Sequence, residues 1–123
     1  MTAPSFVEPL FRAIDAMSAD AFAEFLTEDG AFRFANAPAI RGREAVRDGV
    51  ARFFSSIRGL EHRLAAVWEV PGVVFCEGDV TYTRHDGTTL TVPFFDVLRL
   101  GDEKIVDYRI YLDASALHGP PAP

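Results

Sequence analysis

The run Val73–Asp113, VVFCEGDVTYTRHDGTTLTVPFFDVLRLGDEKIVDYRIYLD, constrains the fold of this chain more than any other stretch. Its three segments, Val73–His85, Thr89–Leu100 and Lys104–Asp113, alternate apolar and polar residues as strands do. Asp86–Gly87 and Gly101–Asp102–Glu103 separate them, and both are tight-turn sequences. An antiparallel meander of this length curves, and it cannot cover its own apolar face. The remainder of the chain must do that.

A fourth strand precedes the meander. Over Leu60–Val70 the residues Leu60, His62, Leu64, Ala66, Trp68 and Val70 alternate with Glu61, Arg63 and Glu69, and Pro71–Gly72 supplies the turn. Further upstream the period lengthens. Phe6, Leu10, Ile14 and Met17 mark one face of a helix whose Pro9 is tolerable only near its first turn. Ser18 caps a second short helix presenting Phe22, Phe25 and Leu26. Thr27–Gly30 reads as a turn, Ala31–Ala35 as a short extended piece, and residues 36–42 as an irregular loop around Pro38. Ala45, Val46, Val50, Phe53, Phe54 and Ile57 then share the apolar face of a helix over residues 43–57, within which Gly49 allows close packing. Helices first and strands afterwards give an α+β layout. The expected architecture is a cone: a strongly curved, mostly antiparallel sheet with three helices from the N-terminal half on its concave face, and a pocket at the mouth. The whole chain, 1–123, reads as one domain with an ordered core over about 5–115. The tail 114–123 is expected to begin with a half-turn of helix and to end in Pro-rich disorder.

Composition narrows the partners. Twelve Lys and Arg against 18 Asp and Glu leave a net charge of -6, which argues against nucleic acid and anionic membranes as partners. No apolar run reaches the length of a membrane span, and the N-terminus lacks the pattern of a signal peptide, so a cytoplasmic location is expected. Cys76 is the single cysteine and reads as a small buried hydrophobe. No His, Cys, Asp and Glu spacing suggests a metal site, and no phosphate-binding loop or nucleophile elbow is present. No cofactor is expected.

Three stretches, FRFANAPAIRGREAV (Phe32–Val46), EGDVTYTRHDG (Glu77–Gly87) and GDEKIVDYRIYLD (Gly101–Asp113), resemble the SnoaL-like branch of the nuclear transport factor 2-like superfamily. That branch includes polyketide cyclases and limonene epoxide hydrolase, and the similarity spans about residues 5–115. It implies the cone fold, a small apolar ligand, cofactor-free acid–base chemistry of an isomerase, cyclase or hydrolase, and a homodimer formed through the sheet. The epoxide hydrolase match is incomplete. Its Tyr and Asn correspond to Phe34 and Asn36, its Arg and Asp to Glu77 and Asp79, and its last acid to Ile110 following Arg109. Phe34 and Ile110 therefore disfavour that mechanism, which needs one carboxylate as base and another as acid.

The acids sort by alternation. Phe75, Glu77, Asp79, Thr81 and Thr83 share one face, and the opposite face, with Val74, Cys76, Val80 and Tyr82, is the more apolar. Composition thus places Glu77 and Asp79 outside, whereas the resemblance places them inside. Asp96 lies on the face of Val92, Phe94, Leu98 and Leu100, where a carboxylate needs a partner such as Arg109, Tyr82 or His62, or lines a cavity. The catalytic candidates are Asp96, Asp79 and His62, with His62 pairing with one of the two acids. The candidate pocket residues are Phe34, Asn36, Phe54, Trp68, Glu77, Tyr82, Phe94, Tyr108 and Ile110. Arg109, Tyr111 and Asp113 read as a structural or interface network, and Asp107 as solvated. Two further readings stand beside the enzyme: a non-catalytic dimerisation or protein-interaction module, and a divergent epoxide hydrolase.

Overall fold

A computed structural model describes residues 4–118. Three helices, α1 (Val7–Asp15), α2 (Ala19–Ala23) and α3 (Arg43–Ser55), accompany six strands: β1 (Leu26–Phe34), β2 (Ile40–Arg41), β3 (Gly59–Val70), β4 (Val73–Thr83), β5 (Thr89–Gly101) and β6 (Lys104–Tyr111). The strand order is β2-β1-β6-β5-β4-β3. All neighbours are antiparallel except β1 and β6, which run parallel. The fold is the expected α+β cone, an open mixed sheet with helices over its concave face.

Local chemistry explains each helix. In α1, Pro9 lies within the first turn, where its missing N–H costs nothing, and Val7, Leu10, Phe11 and Ile14 are buried at helical spacing. Ser18 caps α2 by accepting from the Ala21 N–H at 3.1 Å. Helix α3 buries Val46, Val50 and Phe54. A Cβ at Gly49 would meet Ile40 Cδ1 at 2.7 Å, so the glycine lets α3 lie close to β2.

Two expectations are corrected. Thr27–Gly30 is not a free turn; it is the first half of β1, displaced by an irregularity between Leu26 and Ala31 in the pairing with β6. Residues 40–41 of the expected loop form β2 against Ala31 and Phe32. The start of the tail forms a turn, with the Leu117 N–H donating to the Ala114 carbonyl at 2.9 Å, and this turn is docked: Leu117 is buried, and Arg84 donates to the Leu117 and Ala116 carbonyls at 2.8 and 2.9 Å. His118 Nε2 lies 2.9 Å from Ser56 Oγ. A guanidinium that satisfies two carbonyls, together with one buried leucine, holds a segment that composition reads as tail. The expected disorder over 119–123 lies outside the described residues.

One irregularity shapes the site. Leu64 pairs with Gly78 and Ala66 with Glu77, so β3 carries a bulge at Ala65. It reverses the alternation, so that Leu60, His62 and Leu64 pair with the buried-face residues Tyr82, Val80 and Gly78, while Trp68 pairs with outer-face Phe75. The bulge rides over Gly78, where a Cβ would overlap the Arg63 carbonyl oxygen. Gly78→Ala is therefore expected to destabilise the fold by about 3 kcal/mol or more. Gly59→Ala, with open space around the added carbon, should change stability by no more than about 0.5 kcal/mol. Urea denaturation of the two variants measures both.

Candidate active site

Between α3, α1 and the concave face of the sheet lies a cavity of about 230 Å³. Its lining is almost all hydrocarbon, and among the lining residues only His62, Tyr82 and Tyr108 carry polar side-chain atoms. Six residues expected at the pocket are there: Phe34, Phe54, His62, Tyr82, Tyr108 and Ile110.

Five others are not among the lining residues. Glu77 and Asp79 are exposed on the outer face of β4, as strand alternation indicates and against the resemblance. Asp79 cannot act in this cavity from there. Trp68 is 47% exposed, turned outward by the bulge, and stacks on Phe95 with centroids 6.3 Å apart. Phe94 is buried as core, against Phe11 at 5.9 Å and His62 at 5.1 Å. Asn36 is exposed, although its neighbour Ala37 borders the cavity.

His62 has a partner that sequence reading missed. Asp15, at the C-terminal end of α1, grips it twice: Oδ1 lies 2.6 Å from Nδ1, and Oδ2 accepts from the His62 backbone N–H at 3.0 Å. The imidazole is further held between Phe11 and Phe94. With the Nδ1 hydrogen given to the carboxylate, the Nε2 lone pair is left free, and Nε2 has no hydrogen-bond partner among the described residues. A carboxylate-oriented imidazole beside an apolar cavity is a proton acceptor of fixed direction. The missed signal was weak: Asp15 is 47 residues from His62 in the chain.

Asp96 is the second polar feature. Its carboxyl is 1% exposed, between Cys76 of β4 and Ile110 of β6, one layer behind the lining. The expected ion pair with Arg109 does not form, because Arg109 lies on the other face. There Asp107, also misread as solvated, sits 3.2 Å from Arg109 and 3.7 Å from Arg99. Nor do His62 or Tyr82 pair with Asp96. Its only side-chain partner among the described residues is Tyr108, whose hydroxyl lies 3.2 Å from Oδ2, while Oδ1 is buried without a partner. Burial pushes the Asp96 carboxyl up to about 8, against a smaller lowering by the Tyr108 hydrogen bond. Burial, and next the Asp96 charge, raise Cys76 to about 12 and carry Tyr82 and Tyr108 above the usual phenol range. At neutral pH the cluster is therefore uncharged. Tyr111 is exposed, and Asp113 Oδ1 accepts from the Ser115 N–H at 3.0 Å, which starts the docked terminal segment.

The Asp96 carboxyl links stability to pH. Unfolding frees a group of ordinary value 3.8 from one held near 8, so its favourable contribution is complete below about pH 4 and lost as pH rises through about 8. Urea midpoints measured from about pH 5 to about pH 8 should fall with a slope of up to about 1 kcal/mol per pH unit. Asp96→Asn should flatten that slope.

Comparison with known structures supports the architecture. A hypothetical protein with a ketosteroid isomerase-like fold from Catenulispora acidiphila, solved with trimethylamine, is 21% identical, with 94% of this chain and 90% of that chain covered at a TM-score of 0.86. A candidate polyketide cyclase from Xanthomonas campestris is 24% identical over 87% of each chain, TM-score 0.80. An LEH-like epoxide hydrolase of M. tuberculosis is 18% identical over 88% of this chain and 80% of that one, TM-score 0.75. At these identities the likeness is one of fold. Curated proteins yield no match. The profile of the SnoaL-like domain matches residues 7–108, from the first turn of α1 to the tyrosine beside Asp96. The chain belongs to the SnoaL-like domain family.

Proposed function

We propose that this protein performs cofactor-free acid–base chemistry, as an isomerase, cyclase or hydrolase, on a small apolar molecule held in the cavity. His62 is the proton-transfer group and Asp15 its positioning residue. The observation that carries this reading is the two-point grip of Asp15 on His62 at an otherwise hydrocarbon cavity. Size supports a modest ligand: a cavity of roughly 150 Å³ accepts benzene, and this one, at about 230 Å³, suits one or two fused rings. Epoxide hydrolysis in the manner of limonene epoxide hydrolase is not supported, since Glu77 and Asp79 face outward and Phe34 and Ile110 offer no polar group.

The test is solvent-proton exchange. One- and two-ring carbonyl and phenolic compounds are incubated with the protein in D2O, and deuterium uptake is read by mass spectrometry. His62→Gln should slow uptake by about 10²–10⁴-fold with ligand binding retained. Equal rates in a folded His62→Gln variant would exclude His62 as the base.

The outer face supports the expected homodimer. Trp68 and Tyr111 are 47% and 54% exposed there, with Phe75 and Phe95 stacked beside Trp68 at centroid distances of 5.9 and 6.3 Å within the row. Exposed aromatics beside arginines have the composition of an interface core. Sedimentation velocity should give a dimer, and Trp68→Glu with Tyr111→Glu should give a monomer of unchanged secondary structure. A monomeric wild-type protein at high micromolar concentration would sink this reading.

A further inference from the structure

The wall of the cavity is almost all hydrocarbon, but one edge of it carries charge. Gly49 of α3 and Ile40 of β2 both belong to the lining. A Cβ placed on Gly49 would meet Ile40 Cδ1 at 2.7 Å and Arg52 Nη2 at 3.9 Å. The Arg52 guanidinium therefore lies beside two lining residues, at the seam between α3 and β2. Helix geometry accounts for its place. Arg52 follows Gly49 by about one turn, long helical side chains lean toward the N-terminus, and the glycine leaves them room.

Arg52 is also uncommitted. It is exposed, so this edge of the cavity meets water, and among the described residues its guanidinium makes no ion pair or hydrogen bond. The acid best placed to pair with it along the helix is Asp48, one turn earlier. Asp48 is turned to Arg47 instead, with 3.5 Å between Oδ1 and Nη2. A second arginine reaches the same edge from β1: Arg33 Nε donates to the carbonyl oxygen of Ala37, another lining residue, at 3.0 Å. Arg33 has no acidic partner among the described residues either. Two guanidinium groups thus border the stretch Ala37–Ile40 of a chain whose net charge is -6. Such a local reversal of sign, set against low-dielectric walls, attracts an anion.

We propose that the cavity takes a one- or two-ring carboxylic acid, its rings in the hydrocarbon hollow and its carboxylate at the edge against Arg52. This inference rests on the reading of the cavity as a ligand site and narrows the class of ligand. A carboxylate deeper in the hollow would give up water for hydrocarbon. At the seam it keeps water on one side and meets a planar fork of donors that matches its two oxygens. Among the lining residues the one other group able to carry positive charge is His62, and the Asp15 carboxylate at its Nδ1 repels a second anion there. Arg33, held by the Ala37 carbonyl, adds to the field at the edge. Arg52 is then a specificity-determining residue. It selects for charge, and it makes the uncharged end of the ligand the one that enters the hollow.

The probes 2-naphthoate and 2-naphthamide, alike in shape and different in charge, test this by calorimetry. Wild-type protein should bind the naphthoate about fivefold more tightly at low salt. Raising the salt from about 0.01 M to about 1 M should bring that ratio close to one. Arg52→Gln should do the same at low salt while leaving the naphthamide affinity unchanged, and an exposed arginine can be replaced with little effect on the fold. Equal affinity for the two probes in the wild type overturns the anion site and leaves the cavity as a ligand site. A preference that persists at high salt, or in Arg52→Gln, overturns it as well. A preference kept in Arg52→Gln and lost in His62→Gln gives the anion to the imidazole. Failure of both probes to bind overturns the anion site together with the cavity reading. The salt arm needs no variant.

Discussion

The bulge at Ala65, seated on Gly78, is the constraint on which the rest of the site depends. A regular strand would keep every second residue of β3 on one face from Leu60 to Val70. The inserted residue splits it, sending Leu60 and His62 to the concave side and Trp68 to the convex one. It also strengthens the local twist, and a curved sheet has a hollow that helices can roof without filling. Because a Cβ at position 78 would collide with the backbone of β3, this geometry is tied to glycine. The cavity and the outer aromatic row both follow from it.

Asp15 then does two jobs with one carboxylate. By accepting from the His62 backbone N–H it pins the end of α1 to the edge of the sheet, and by accepting from Nδ1 it sets the orientation of the imidazole. Structure and chemistry are coupled here: a change in helix seating alters the direction of Nε2. Asp96 represents the opposite economy. Its burial is costly in any fold, and among the described residues the side chain set against that cost is one phenol, not a cation. An acid kept in this condition is protonated, which is a different chemical tool from an ionised base.

Much of the architecture was legible from periodicity. The meander, the long helix and the capped short helix rest on local rules, and these segments obey them. Alternation also sorted the acids correctly: the apolar face of β4 went inside, carrying Cys76, Val80 and Tyr82, and left Glu77 and Asp79 in solvent. Family resemblance alone would have turned that strand over. The errors fell where a long-range contact overrides local preference. Thr27–Gly30 has turn composition and lies inside β1, where the five steps from Leu26 to Ala31 are set against two of β6, and residues 40–41 of the expected loop pair with β1.

By itself, the sequence determined the fold class, the apolar character of the hollow and the anomaly of an acid at position 96, because each depends on residue type and a period of two or of 3.6. Only the tertiary structure decided the partners. Asp15 and His62 are 47 residues apart, Asp96 and Tyr108 lie on neighbouring strands, and Trp68 faces outward through one inserted residue. Hydrogen-bond pairing and bulge position are set by how distant segments meet in space. Strand alternation assigns a face to Val73–Asp113, but a proton acceptor or donor is defined by the group placed against it.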